Sequence, residues 1–246
     1  TSIKNNYYFS WQIELLIESF KYHNIQNQLY VSVDDEMIVE NCKNLKNHNK
    51  IIIGNNYDEL NKPCRLLEAI ESNLIDLPIA LIHPDMILKE PILSVSGDII
   101  CSISPDEDEK ELETIKNELD QDNLYPFLPV GSIIVFNTYE SIDFLRGLIG
   151  YYNDLSSKKL VDYEKIALMN NVYNFYDRLA INLQPMESSL LHNNYKSNFI
   201  HYKYGIPPSF MKHKFEETDP YEILLNFNST DNLKYMAQIV EKYLVV

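Results

Sequence analysis

No apolar run in these 246 residues approaches the roughly 20 needed to cross a bilayer as a helix. No basic-then-apolar leader opens the chain on Thr1, so it reads as a soluble protein or as the soluble part of one. Positive charge is scarce: 21 Lys and Arg stand against 36 Asp and Glu, a formal net charge of −15. A surface of that sign repels phosphate backbones, which argues against a nucleic-acid partner. It leaves room for a phosphorylated small ligand only where a metal or a few lysines reverse the sign locally. Cysteine is also sparse. Cys42, Cys64 and Cys101 form no Cys-x-x-Cys pair and have no His beside them, so buried, reduced thiols are expected. That usage fits a reducing, cytoplasmic compartment; apart from the cysteines, a Golgi lumen is the alternative if the chain is the soluble part of a eukaryotic protein. No internal repeat is visible.

What is present is enough apolar sequence, 45%, for a real core, and residues 1–246 are read as a single domain. Trp11, Leu15, Leu16, Ser19 and Phe20 recur at helical spacing in "WQIELLIESFKYH", which predicts an amphipathic helix. "QLYVSV" (28–33), "KIIIG" (50–54), "GDIICSIS" (97–104) and "GSIIVFN" (131–137) read as strands. "CRLLEAIESNL" (64–74), "YESIDFLRGLIGYYNDL" (139–155) and "YNFYDRLAINLQ" (173–184) read as helices. The acidic stretch 104–122 and a C-terminal extension from about 219 to 246 are expected to be helical as well. The continuous apolar run "PIALIH" is expected to be a strand buried on both faces. Alternation of strand and helix predicts an α/β three-layer sandwich around a mixed, mostly parallel central sheet. Such sheets bind ligands beyond the carboxyl ends of their strands.

"IALIHPDMILKEPI" (79–92) therefore draws attention, because its first apolar run ends in His83-Pro84-Asp85. An acid at a strand's carboxyl end can bridge a hard cation to phosphate oxygens, and Mn²⁺ accepts imidazole as well. Pro84 fixes the backbone there and donates no N–H. The plainer alternative is a turn with an Asp cap and a satisfied histidine. A second cluster lies in "NFIHYKYGIPPSFMKHKF" (198–215). There His201 follows an apolar pair, Gly205 allows close backbone approach, and Lys212 and Lys214 offer charge suited to a diphosphate.

"YYFSWQIELLIESFKYH", "LNKPCRLLEAIES", "ALIHPDMILKEPI", "PVGSIIVF" and "NFIHYKYG", in that order, resemble successive motifs of plant hydroxyproline O-arabinosyltransferases and peptidyl-serine galactosyltransferases. Motif order is also similar to that of the glycogenin-like family. The resemblance spans most of the first 215 residues and implies a GT-A-like, nucleotide-sugar-binding fold with retaining glycosyl transfer. By that likeness Asp85 matches the last acid of the Asp-x-Asp metal motif and His201 the late metal-ligating histidine. His83 stands where the arabinosyltransferase group has Glu, either as metal ligand or as ribose contact. Tyr8, Trp11, Gln12, Lys62, Gly131, Gly205 and Lys212 fall on donor-side positions. Asp177 resembles the acid of the glycogenin-like catalytic helix, with a surface pairing to Arg178 or Lys165 as its plainer role. Only "TSIKNN" precedes the first motif, so part of the family's first strand is expected to be missing.

The resemblance implies a nucleoside diphosphate sugar donor, most simply a UDP-sugar, a hydroxyl-bearing acceptor on a glycan, protein or lipid, and Mn²⁺ or Mg²⁺ as cofactor. Two alternatives stand beside it: a catalytically inactive nucleotide-sugar-binding module of the same fold, and a metal phosphohydrolase.

Overall fold

The computed structural model describes residues 2–3, 7–33, 36–41, 43–48, 50–53, 62–84, 86–91, 96–103, 129–157, 163–184, 187–189 and 199–201. The expected helices at 104–122 and 219–246 lie outside them. The fold is α/β, with mixed sheets and helices, and divides into two units.

The first unit comprises 1–57, 83–93 and 187–246. Its parallel sheet runs β1 (Ser2–Ile3), β2 (Val31–Val33), β3 (Ile51–Ile53), with Ser32 paired to both Ser2 and Ile52. Val-Ser-Val and Ile-Ile-Ile are β-branched runs that fit a pleated surface, and all three residues of β2 are buried. Helix α1 (Tyr7–Tyr22) packs in this unit with the short helices α2 (Glu36–Asn41) and α3 (Lys43–Lys46). α1 ends because Asn24 adopts φ 54°, so Asn24 N–H bonds Lys21 O and Ile25 N–H bonds Phe20 O. That pair of bonds is a Schellman cap, and Asn tolerates the left-handed position it needs. A second sheet of this unit joins β5 (Met86–Leu88), β10 (Phe199–His201) and β9 (Glu187–Ser189), antiparallel and then parallel.

α1 departs from the expected one-faced helix: every residue from Gln12 to Ser19 is buried, Glu14 and Glu18 included. Glu14 Oε1 accepts the Leu45 N–H at 3.4 Å, and Lys21 donates to Glu18 Oε1 at 3.0 Å. Ser19 Oγ donates to Leu16 O at 2.7 Å and accepts the Leu88 N–H at 3.3 Å, tying α1 to β5.

The second unit comprises 58–82 and 94–186. Its sheet runs β4 (Ile79–Ile82), β7 (Pro129–Phe136), β6 (Ile99–Ile103), β8 (Ile181–Gln184). β7 is antiparallel to both neighbours and only β6–β8 is parallel, so this sheet is less parallel than the alternating sequence suggests. β4 also departs from expectation. It is an edge strand among the described residues, and Ile79, Ala80 and Leu81 are only half-buried. Helix α4 (Lys62–Glu71), α5 (Ser141–Ser157) and α6 (Tyr163–Phe175) complete the unit around a core of Phe136, Phe144, Leu148 and Ile166. α4 carries Pro63 in its first turn, where no N–H is missed, and ends in a second Schellman cap on Asn73, φ 56°.

The expected helix at 173–184 is corrected. α6 stops at Phe175, a turn covers 176–178, and Ile181–Gln184 is strand β8. Asp98 holds this crossover: Oδ1 accepts from Thr138 Oγ1 at 2.8 Å and Oδ2 from the Ala180 N–H at 2.9 Å. Gly97 precedes it at φ 128°, and a Cβ there would meet Ala180 O at 2.9 Å. Gly97→Ala should therefore lower unfolding free energy by about 1–3 kcal/mol in urea titration. A loss within a few tenths would show that the β6–β8 crossover does not depend on this backbone.

Candidate functional site

β5 and its pairing with β10 bear most directly on the sequence reading. β5 begins one residue after Asp85, and all of Met86, Ile87 and Leu88 are inaccessible to solvent. Its pairing with β10 sets Phe199 against Leu88, Ile200 against Ile87 and His201 against Met86. His201, which is 116 positions from Asp85 in sequence, is thus paired with the residue bonded to it. Asp85 itself lies outside the described residues, as do Gly205 and Lys212. His83 is half-buried, and Pro84 is buried in the turn after it. Gln12 is buried within α1, and Tyr8 and Trp11 belong to the same helix.

Three candidates belong to the second unit. Lys62 is the first residue of α4 and is half-buried. Gly131 lies in β7 at a break in the ladder. The pairs Cys101–Ile134 and Ser102–Val130 leave Gly131, Ser132 and Ile133 with no residue opposite on β6. The Ser102 hydroxyl fills the gap, donating to Ile133 O at 3.2 Å and accepting the Ile133 N–H at 3.3 Å. Bulges of this kind end regular pairing and re-aim the chain. Because Ile82 pairs with Ile133, the bulge sits at the carboxyl end of β4, the end where α/β sheets take ligands. Asp177 is not on a helix: it is exposed in the 176–178 turn, and its neighbour Arg178 stacks over the Phe175 ring at 4.9 Å.

Sequence reasoning missed the buried acids Glu14 and Glu18. Their signal was present in part, since "IELLIES" sets Glu14 between Ile13 and Leu15 and puts Glu18 directly after the apolar run. Glu18 Oε2 has no hydrogen-bond partner, and such buried orphans are few in folded proteins. Among the described residues no three His, Cys, Asp or Glu side chains group as a metal set. No helix among them is long and apolar enough to cross a membrane. Both described thiols are held towards the protonated form: burial pushes Cys101 up to about 12, and burial followed by Glu68 raises Cys64. Cys42 lies outside the described residues.

No protein-family model and no curated protein sequence matches this chain.

One pH response follows from this unit. Burial, and then the Lys89 charge, holds the His23 imidazole below its ordinary value of 6.5. Burial likewise lowers Lys89, which Glu90 partly offsets. The folded state thus resists protonating His23, so below 6.5 the unfolded chain binds more protons and stability falls with pH. Melting temperature should drop between pH 7.5 and pH 5.5, and His23→Gln should shrink that drop. Equal drops in the two proteins would remove His23 as its source.

Proposed function

We propose that this chain is a metal-dependent retaining glycosyltransferase that moves a sugar from a nucleoside diphosphate sugar, most simply a UDP-sugar, to an acceptor hydroxyl on a GT-A-like fold. The observation that carries the reading is the β5–β10 register. It pairs His201 with Met86, the residue that follows Asp85 in sequence, which supports a shared role for the two residues that the family resemblance names as metal ligands.

A carboxylate and an imidazole are a donor set that suits Mn²⁺ better than Mg²⁺ or Ca²⁺, which prefer all-oxygen shells. In this reading Asp85 and His201 hold the ion, with His83 beside them as ligand or ribose contact. When bound, a divalent cation supplies charge to offset what builds on the departing diphosphate. The chain's own residues do the positioning. The buried β5 gives Asp85 and its neighbours a rigid base, which matters because misplacement by an ångström can cost orders of magnitude in rate. Pro84 withholds an N–H from the corner and restricts its backbone. Lys212 and Gly205 are assigned to the diphosphate by the resemblance. An acid in the role proposed for Asp177 steadies the sugar's developing positive charge without taking the sugar covalently.

The reading is tested by donor binding. A thermal-shift screen of nucleotide sugars should show stabilisation that needs Mn²⁺, since ligand bound to the native state raises the melting temperature. Asp85→Asn keeps the side chain's size and removes its charge. It should abolish the Mn²⁺-dependent shift while changing the unliganded melting temperature by no more than about 2 °C. A full Mn²⁺-dependent shift in Asp85→Asn would rule out this metal assignment.

A further inference from the structure

The first unit holds a cavity of about 340 Å³ that the glycosyltransferase reading does not use. It lies between the end of α1 and the residues that lead into β2 and β3, so it opens at the amino ends of the parallel strands. The ligand crevice of an α/β sheet forms at the other end. Ile17, Phe20 and Leu29 give it an apolar floor, while Lys21, His48 and Lys50 supply its polar wall.

That wall is held in place before any ligand arrives. Lys21 is tied to the buried Glu18 carboxylate at 3.0 Å, and the Lys50 ammonium rests 5.6 Å from the centre of the Tyr30 ring. His48 Nε2 lies 2.6 Å from Leu29 O. A carbonyl only accepts, so Nε2 carries the proton and the contact fixes the ring. Side chains already ordered lose less entropy when they bind, which favours recognition over a loose surface patch of lysines. Among the described residues the Glu18 carboxylate balances one of the two ammonium groups, which leaves the cavity about one positive charge, on Lys50. That matches a monoanion better than a diphosphate. The volume is at the lower end for small-molecule sites, which run from about 300 to 1,000 Å³, and the apolar floor asks for a hydrocarbon tail.

We infer that this cavity binds a small organic monocarboxylate with an apolar or aromatic tail, its carboxylate on Lys50 and its tail on Ile17, Phe20 and Leu29. The site is independent of the metal and donor residues.

3-Phenylpropionate is the probe, titrated into the ¹⁵N-labelled chain and followed by amide chemical shifts. Shifts should concentrate at Lys21, Asn24, Gln28, Leu29 and Lys50. The neutral 3-phenylpropionamide should bind about tenfold more weakly, as expected for loss of one charge-assisted contact. Acetate, which lacks the tail, should give no saturable shift. Lys50→Gln should weaken 3-phenylpropionate about tenfold, and Lys50→Glu should weaken it further while each variant keeps the parent's dispersed spectrum. Asp85→Asn should leave the affinity unchanged, which separates this site from the proposed transferase centre. Equal binding of acid and amide, shifts centred elsewhere, or an undiminished affinity in a folded Lys50→Glu would each overturn the assignment.

Discussion

The complete burial of Met86, Ile87 and Leu88 is the constraint on which the candidate metal corner depends. Removing three large apolar side chains from water contributes about 2 kcal/mol each, far more than any exposed ion pair in the chain. That burial leaves β5 little freedom to slip. It is reinforced from two directions, by the Ser19 hydroxyl receiving the Leu88 N–H and by the antiparallel ladder to β10. Because both faces of β5 are covered, a slip of one residue would exchange its side chains between two packed faces and break their fit. The register that sets His201 against Met86 is therefore a consequence of hydrophobic packing, and a polar corner can be built on it at small risk to the fold.

A different device organises the second unit. There the β6–β8 crossover and the β7 bulge are both held by short polar side chains, Asp98 and Ser102, that take over bonds the backbone ladder does not make. A serine that bonds both the N–H and the carbonyl of Ile133 satisfies the gap opened by the unpaired residues. Without such a partner, these buried groups would each cost about 1–3 kcal/mol. The bulge and the crossover are thus places where the chain departs from regular pairing without leaving polar groups stranded.

Much of the element pattern was legible in local chemistry. Pro63 and Asn73 bracket α4, and the β-branched runs of β2 and β3 and the apolar spacing of α5 are visible without coordinates. The errors share a cause. "YDRLAINLQ" carries apolar residues at spacings compatible with either helix or strand, and its fate is decided by Asp98 and by pairing with β6, both more than 75 residues away. The apolar run of β4 looked central but lies at a described edge, since length and composition do not report which neighbours a strand will find. Glu14 and Glu18 were passed over because an acid on a helix is ordinarily solvated, and only the fold shows α3 and Lys21 meeting them. Of the candidate site, residue types and motif order could be read from sequence. The pairing of His201 with Met86 could not, because it joins strands more than a hundred residues apart.

Net charge links the two ligand readings. A chain at −15 repels anions at long range, so any anionic ligand must find positive charge supplied locally. Two of the three arginines show how readily such charge is consumed: Arg146 bonds both Glu71 and Asp143, and Arg65 bonds Glu68. Two routes remain open to an acidic protein. One recruits an external cation, as proposed for the Asp85–His201 pair, and it suits a multiply charged diphosphate. The other rests a lysine on an aromatic ring, as Lys50 lies over Tyr30 beside a cavity whose second lysine is paired with Glu18. That leaves enough charge for a single carboxylate and too little for a diphosphate. In a chain this acidic, the charge count at each site already separates the kinds of anion it can hold.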